Sequence, residues 1–220
     1  MYVLTINQRD SREAGDMVDE LIRRLRHVDT LLPFQRSVGD ELIGVVADPH
    51  TAVDVALRAL RERRWNVGVG VGPLVAADGT PGLPDSQDLE DVTGPGLVAA
   101  RQAVEAAAHG QRIPVAVTAR DRQAAADAEA VLRLIGQLVW TRTDAEWRVL
   151  DLMVPGVRGQ QKLVAAELGI TTQAVSQAVQ RSFWTEEHAC RPAAARLLAL
   201  AGQAPLPAGA DAAGEVPSPA

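Results

Sequence analysis

The side chains best suited to recognition chemistry lie between residues 158 and 181. Gln173, Ser176, Gln177 and Gln180 recur at the three- and four-residue spacing that puts them on one face of a helix, and Arg181 follows. Uncharged groups that both donate and accept hydrogen bonds read base edges in a DNA groove. Arg181, with Arg158 and Lys162 upstream, supplies cations for phosphates. Thr171 and Thr172 precede the row and are good residue types for capping a helix N-terminus. Between Pro155 and Arg181 these three bases face only Glu167, so the segment is locally basic in a chain of formal net charge −6.

A second set of polar residues lies near the N-terminus: Asn7, Asp10, Asp40 and Glu41. Carboxylates are hard oxygen donors of the kind that hold divalent ions against phosphates. Here the set is short of charge. Asn7 ends the first apolar run with a neutral oxygen, and Asp10 lies beyond that run. Asp40 and Glu41 are neighbours, and neighbours on a strand point to opposite faces, so one of them at most serves a given site. No metal and no cofactor is expected. A nucleotide or other small anion is the expected ligand class, near Asn7, Asp40 and the helix start at Gly94-Pro95-Gly96, whose N–H groups would face outward. His27, His50, His109 and His188 show no metal-ligand spacing, and Cys190 stands alone. Gly68-x-Gly70-x-Gly72 lacks both the third glycine of the dinucleotide fingerprint and the lysine of a P-loop, so its glycines are read as room for a close-packed helix or ligand.

The elements that would carry these residues are readable from periodicity. Apolar runs at Tyr2–Ile6, Leu32–Val38, Glu41–Ala47 and Trp65–Val71 predict strands. The second and third are joined by the tight turn Gly39-Asp40. Helical spacing predicts a helix over 12–27 capped by Ser11, and another over 49–63 capped by Asp48. The order is βαββαβ, a ferredoxin-like arrangement with both helices on one face. After a Gly/Pro/Asp-rich stretch over 72–93, a helix over 96–109 and a strand over 113–118 follow, then a helix over 122–140 that leaves the sheet. A domain boundary is placed near residue 120, and that apolar helix together with the sheet domain is expected to offer enough apolar surface to pair two chains.

Thr143-Asp144-Ala145-Glu146 is a capping box opening a helix that buries Trp147, Val149, Leu150 and Leu152 and stops at Pro155-Gly156. Helices over 159–168 and 172–182 then meet across Gly169. Ala165 provides the small contact residue, and Val164, Leu168, Ile170, Val175 and Ala178 the shared core. Phe183 and Trp184 are expected to close that core, and a last helix runs over 192–201. The fold class is therefore α+β: a sheet domain over 1–120, an all-α domain over 121–202, and an Ala/Pro/Gly-rich tail over 203–220 expected to be disordered.

Composition narrows the function classes. With 220 residues, 47% hydrophobic and 23% charged, the chain can bury a core of ordinary size. An acidic balance excludes a protein that coats nucleic acid by charge alone. No apolar run is long enough to span a bilayer and no signal-peptide pattern opens the chain, so a cytoplasmic location without membrane partners is expected.

Residues 143 to 182 resemble a bacterial helix-turn-helix of the MarR-like, LuxR-like and sigma-factor kind. The hairpin Ser37-Val38-Gly39-Asp40-Glu41-Leu42 within the βαββαβ order resembles the palm domain of class III nucleotide cyclases and GGDEF diguanylate cyclases. The whole chain resembles the SatD family, on Asp10-Ser11-Arg12, Phe34 to Leu42, Gly68-Val69-Gly70-Val71-Gly72 and Gly94 to Arg101. The cyclase resemblance implies metal-binding carboxylates at the end of the first strand and in the hairpin. This chain departs from it at Asn7, where an aspartate is expected. Together these readings predict a DNA-binding transcriptional regulator with a degenerate palm domain that senses a ligand or dimerises. It would act on double-stranded DNA as a homodimer. The alternative is a metal-dependent nucleotide-processing enzyme with an accessory helix-turn-helix.

Overall fold

The computed structural model describes residues 1–109 and 112–203; most of the expected tail, 204–220, lies outside the described residues. In chain order the elements are β1 (Tyr2–Gln8), α1 (Ser11–Ala14), α2 (Val18–Leu25), β2 (Leu32–Arg36), β3 (Glu41–Val46), α3 (Pro49–Arg61), β4 (Trp65–Val71), β5 (Val75–Ala76), β6 (Val92–Thr93), α4 (Pro95–Ala108), β7 (Val115–Ala119), α5 (Arg122–Thr141), α6 (Asp144–Leu150), α7 (Gln161–Leu168), α8 (Thr172–Arg181) and α9 (Trp184–Ala201). The protein is α+β. Its main sheet is mixed and five-stranded, in the order β2-β3-β1-β4-β7. The first four strands pair antiparallel, with Asn7 opposite both Glu41 and Asn66, and β7 adds parallel to β4.

Both faces of this sheet are covered, which is why the residues of β1 and β4 are buried on both sides, Asn7 alone being half-buried. On one face Leu4, Ile6, Val67 and Val69 pack with Leu21 of α2, Leu57 and Leu60 of α3, Leu132 and Ile135 of α5, and Leu198 of α9. On the other, Val3, Ile43 and Val45 pack with Ala100 of α4 and with Leu74 and Val92 of the 72–93 segment, which holds the small hairpin β5–β6. Gly68 and Gly70 let α4 lie close: a Cβ at either would stand 2.3 and 2.2 Å from the backbone nitrogens of Val104 and Ala100. The glycine row is thus a seat for a helix. α4 runs antiparallel to β4, with Gly96 against Gly72 and Val104 against Gly68.

Four expectations are corrected: the boundary, the first helix, its cap and the start of the last helix. The boundary near 120 separates α5 from the core it completes; α5 and α9 share the sheet's main core, and only α6–α8 hold a core of their own. The buried face of α5 is spent in that core, and Leu134 is its exposed large apolar residue. The helix expected over 12–27 is broken at Gly15, whose φ is 75°. The buried Gln8 clamps the break: its Nε2 donates to the Gly15 carbonyl at 2.6 Å, and its Oε1 accepts from the Met17 N–H at 2.8 Å. Ser11 does not cap a helix; its hydroxyl donates to Asp40 Oδ2 at 2.7 Å. α9 begins at Trp184 and runs through Pro192, although a proline argues against a continuous helix.

Candidate nucleic-acid interface

α6, α7 and α8 are held by a small core in which Val149, Val164, Ala165 and Val175 are buried. The capping box at Thr143 and Glu146 is formed in both directions and starts α6. α7 ends at Gly169 in the left-handed conformation, φ 64°, and the Ile170 N–H closes the turn on the Ala165 carbonyl at 3.0 Å. Thr171 then caps α8, its hydroxyl accepting from the Ala174 N–H at 3.1 Å. Three predicted core members differ. Ile170, beyond the Gly169 reversal, is 40% exposed, and Val179, one turn after Val175, packs in that core. Leu152 lies past the end of α6 and is exposed. The aromatic pair is divided: Trp184 is buried, while Phe183, at φ 50°, is exposed beside the end of α8.

Burying Val175 turns the opposite side of α8 to solvent. Thr172, Gln173, Gln177, Gln180 and Arg181 are exposed and Ser176 is half-buried. Among the described residues none of these side chains has a hydrogen-bond partner or ion pair, nor have Arg158 and Lys162. Arg158, Lys162 and Thr172 line one open groove of about 610 Å³ at the N-terminal end of α8. The loop bearing Arg158 is fixed by Gln160, whose amide accepts from the Val154 N–H at 2.7 Å and donates to the carbonyls of Val154 and Val157 at 2.7 and 3.0 Å. Two cations thus share a groove with the first residue of α8, a setting that favours an anion.

The second candidate set does not assemble. Asn7 and Glu41 face the α4 side of the sheet, where Asn7 Oδ1 accepts from Asn66 Nδ2 at 2.7 Å. Asp40 and Asp10 lie with Ser11 and Gln8 in a separate shallow pocket. The helix start at Gly94–Gly96 sits beside Gly72, at the opposite end of β1 from Asn7. Its Gly96 N–H donates to the Pro73 carbonyl at 3.1 Å, so the expected anion site near Asn7 and Asp40 is not built there. The divalent-metal centre implied by the cyclase resemblance does not fit these residues. The acids are split between two faces, and among the described residues no three acidic, histidine or cysteine side chains come together.

The chain matches no family model, no curated protein and no solved structure.

The joint between the α6–α8 unit and the sheet is made by residues that periodicity did not single out. Arg61 of α3 grips Asp151 through both carboxylate oxygens, at 2.6 and 2.7 Å, and stacks 4.0 Å over Trp147. Arg142, buried, donates to the Ser182 carbonyl at 3.0 Å and faces Glu187 Oε2 at 3.4 Å. Burial pulls the Arg142 guanidinium down from its ordinary value. Burial alone would raise the Glu187 carboxyl. Hydrogen bonds from His188 and Arg191 outweigh it and hold the group at about 2. Glu187 and Arg191 stand four residues apart in α9, the only part of this joint with a sequence signal.

None of the helices in the described residues is long and apolar enough to cross a membrane.

Proposed function

We propose that this chain is a DNA-binding transcriptional regulator in which α7 and α8 form a helix-turn-helix and α8 enters the major groove. The carrying observation is the outer side of α8. Gln173, Gln177, Gln180 and Arg181 are exposed and unengaged on a helix fixed at both ends, and Arg158 and Lys162 lie beside its start. Base-edge readers on the helix and cations at its N-terminal end divide the work as a groove-reading helix requires. So few cations per chain make single-copy binding weak, so the active form is a homodimer presenting two α8 helices to successive half-sites. In this reading the four strands ordered β2-β3-β1-β4 are a ferredoxin-like palm of the cyclase and SatD kind that has lost its metal chemistry and serves sensing or dimerisation. The protein would work in the cytoplasm, where its DNA is.

The test is selection of bound duplexes from a random pool, followed by fluorescence anisotropy on the enriched sequence. Enrichment of a motif, lost in the triple variant Gln173→Ala/Gln177→Ala/Arg181→Ala with the fold intact, is the expected result. Equal binding by that variant would sink the reading. Light scattering on the same sample should give about twice the chain mass.

A further inference from the structure

We infer that Glu129 and Arg133 of α5 hold shut the free edge of the sheet, and that without them β7 pairs with β7 of a second copy of this chain. The inference goes beyond the α8 assignment and does not depend on it, because it is read from mass and amide exchange with no DNA present.

β7 is an edge strand, joined only to β4 by a parallel ladder from Val115 to Ala119. In such a ladder alternate residues turn their N–H and C=O groups to the neighbouring strand, and those between them turn both groups outward. The outward residues include Val115 and Val117, and side chains of α5 take their groups. The Val117 N–H donates to Glu129 Oε2 at 2.8 Å, and Arg133 Nε donates to the Val115 carbonyl at 3.0 Å. Glu129 and Arg133 stand one helical turn apart and pair with each other at 2.8 Å, on side chains only 22% and 29% exposed. A carboxylate and a guanidinium thus stand where a sixth strand would place its acceptor and its donor.

An uncovered edge presents a row of unpaired groups that templates pairing with another chain. The sheet's other edge is poorly suited to this. β2 contains Pro33, which has no N–H, and Gln35 of β2 holds the 87–89 stretch through the Leu89 N–H and the Gln87 carbonyl, both at 3.1 Å. β7 is the opposite case. Val115-Ala116-Val117-Thr118-Ala119 carries no charge and no proline and is rich in β-branched residues. Laid antiparallel on a second copy, it is its own complement. Val117 faces Val117 of that copy across a two-fold axis, and each N–H donates to the other's carbonyl. Glu129 occupies that same N–H, so the clip and the paired state exclude each other.

The experiment compares the full chain with Glu129→Ala/Arg133→Ala by light scattering from low to high micromolar concentration, with circular dichroism to check the fold. The double variant should keep its fold and rise with concentration to about twice the wild-type mass. Glu129→Gln keeps an oxygen for the Val117 N–H and should hold the wild-type mass. The Val117 amide should exchange about tenfold faster in dilute Glu129→Ala than in wild type, and become protected again as that variant associates. Glu129→Ala leaves Arg133 in place and carries the same expectation of mass if the double variant does not fold. A folded variant without the Glu129 carboxylate oxygens whose mass equals that of wild type at every concentration would overturn the proposal. So would association of Glu129→Gln equal to that of Glu129→Ala, or association that leaves the Val117 amide unprotected.

Discussion

The sheet unit and the α6–α8 unit dispose of their polar side chains in opposite ways. In the sheet unit Asn7 is held by Asn66, Ser11 by Asp40 and Gln8 by the break in the first helix. At the joint Arg142 and Glu187 answer each other inside the protein. In the α6–α8 unit the polar residues that work internally, Thr143, Gln160 and Thr171, fix turns and helix starts. The row along α8 has no hydrogen-bond or ion-pair partner among the described residues. Polar groups that must fix a backbone are satisfied internally; those left over on a rigid helix are available to a partner. Of the residues that first suggested metal chemistry, Asn7 and Asp40 belong to the former kind, and those that suggested DNA reading belong to the latter.

The hardest test of this contrast is to remove an internal partner. Glu187→Ala leaves Arg142 buried without its carboxylate and should cost about 3–5 kcal/mol, measured by urea unfolding. A loss near zero would mean that water reaches Arg142 and that the joint is not a buried network.

Next in size is the pH dependence of the same group. Glu187 is held at about 2 in the folded chain against 4.5 for the free side chain. A depressed folded value gives stability that is fully present above pH 4.5 and lost as the pH falls from 4.5 through about 2. The loss should approach about 3 kcal/mol across that window. Glu187→Gln, compared with wild type over the same range, isolates this contribution; identical slopes would refute it.

Much of this division was legible in the sequence. The strands and their order, the capping box, the Gly169 turn and the polar row on α8 all follow from local spacing and capping chemistry, which the chain carries within a few residues. The domain division was not, because α5 and α9 are amphipathic in the same way whether they pack only on each other or also on the sheet. Periodicity says that a face is buried and not against what. The break at Gly15 was missed because its cause is the side chain of Gln8, a polar residue in an apolar strand. The joint was missed because Arg61 and Asp151 are far apart in sequence and ordinary when taken singly.

A smaller effect tests the exposed row from the other side. The double variant Arg158→Ala/Lys162→Ala should weaken duplex binding about tenfold at physiological salt for every sequence, and lower the salt slope by roughly 0.9 for each phosphate no longer neutralised. Gln177→Ala should leave the slope alone and change which sequence is preferred, by about 1–3 kcal/mol at one base pair. Anisotropy at several salt concentrations separates the two. A changed slope for Gln177→Ala, or altered preference for the double variant, would reverse the roles assigned along α8.

The smallest effect sharpens the comparison most. Thr171 was read as a residue type for capping a helix start, and its hydroxyl caps α8 by accepting from the Ala174 N–H. Thr171→Ala should therefore cost about 1 kcal/mol, because one donor of the first turn loses its acceptor. Where that loss is felt depends on whether the two cores unfold together. The small core of Val149, Val164, Ala165 and Val175 is separate from the sheet's, and α6–α8 meet the sheet unit through Trp147, the Arg61–Asp151 pair and the buried Arg142 network. Local opening of α7 and α8 should then be cheaper than global unfolding. Hydrogen exchange should quicken roughly fivefold at amides of α7 and α8 in Thr171→Ala, while amides of β1 and β4 keep their wild-type rates. Equal acceleration in both regions would show that the α6–α8 unit and the sheet open as one body, and the contrast between them would then be one of surface chemistry alone.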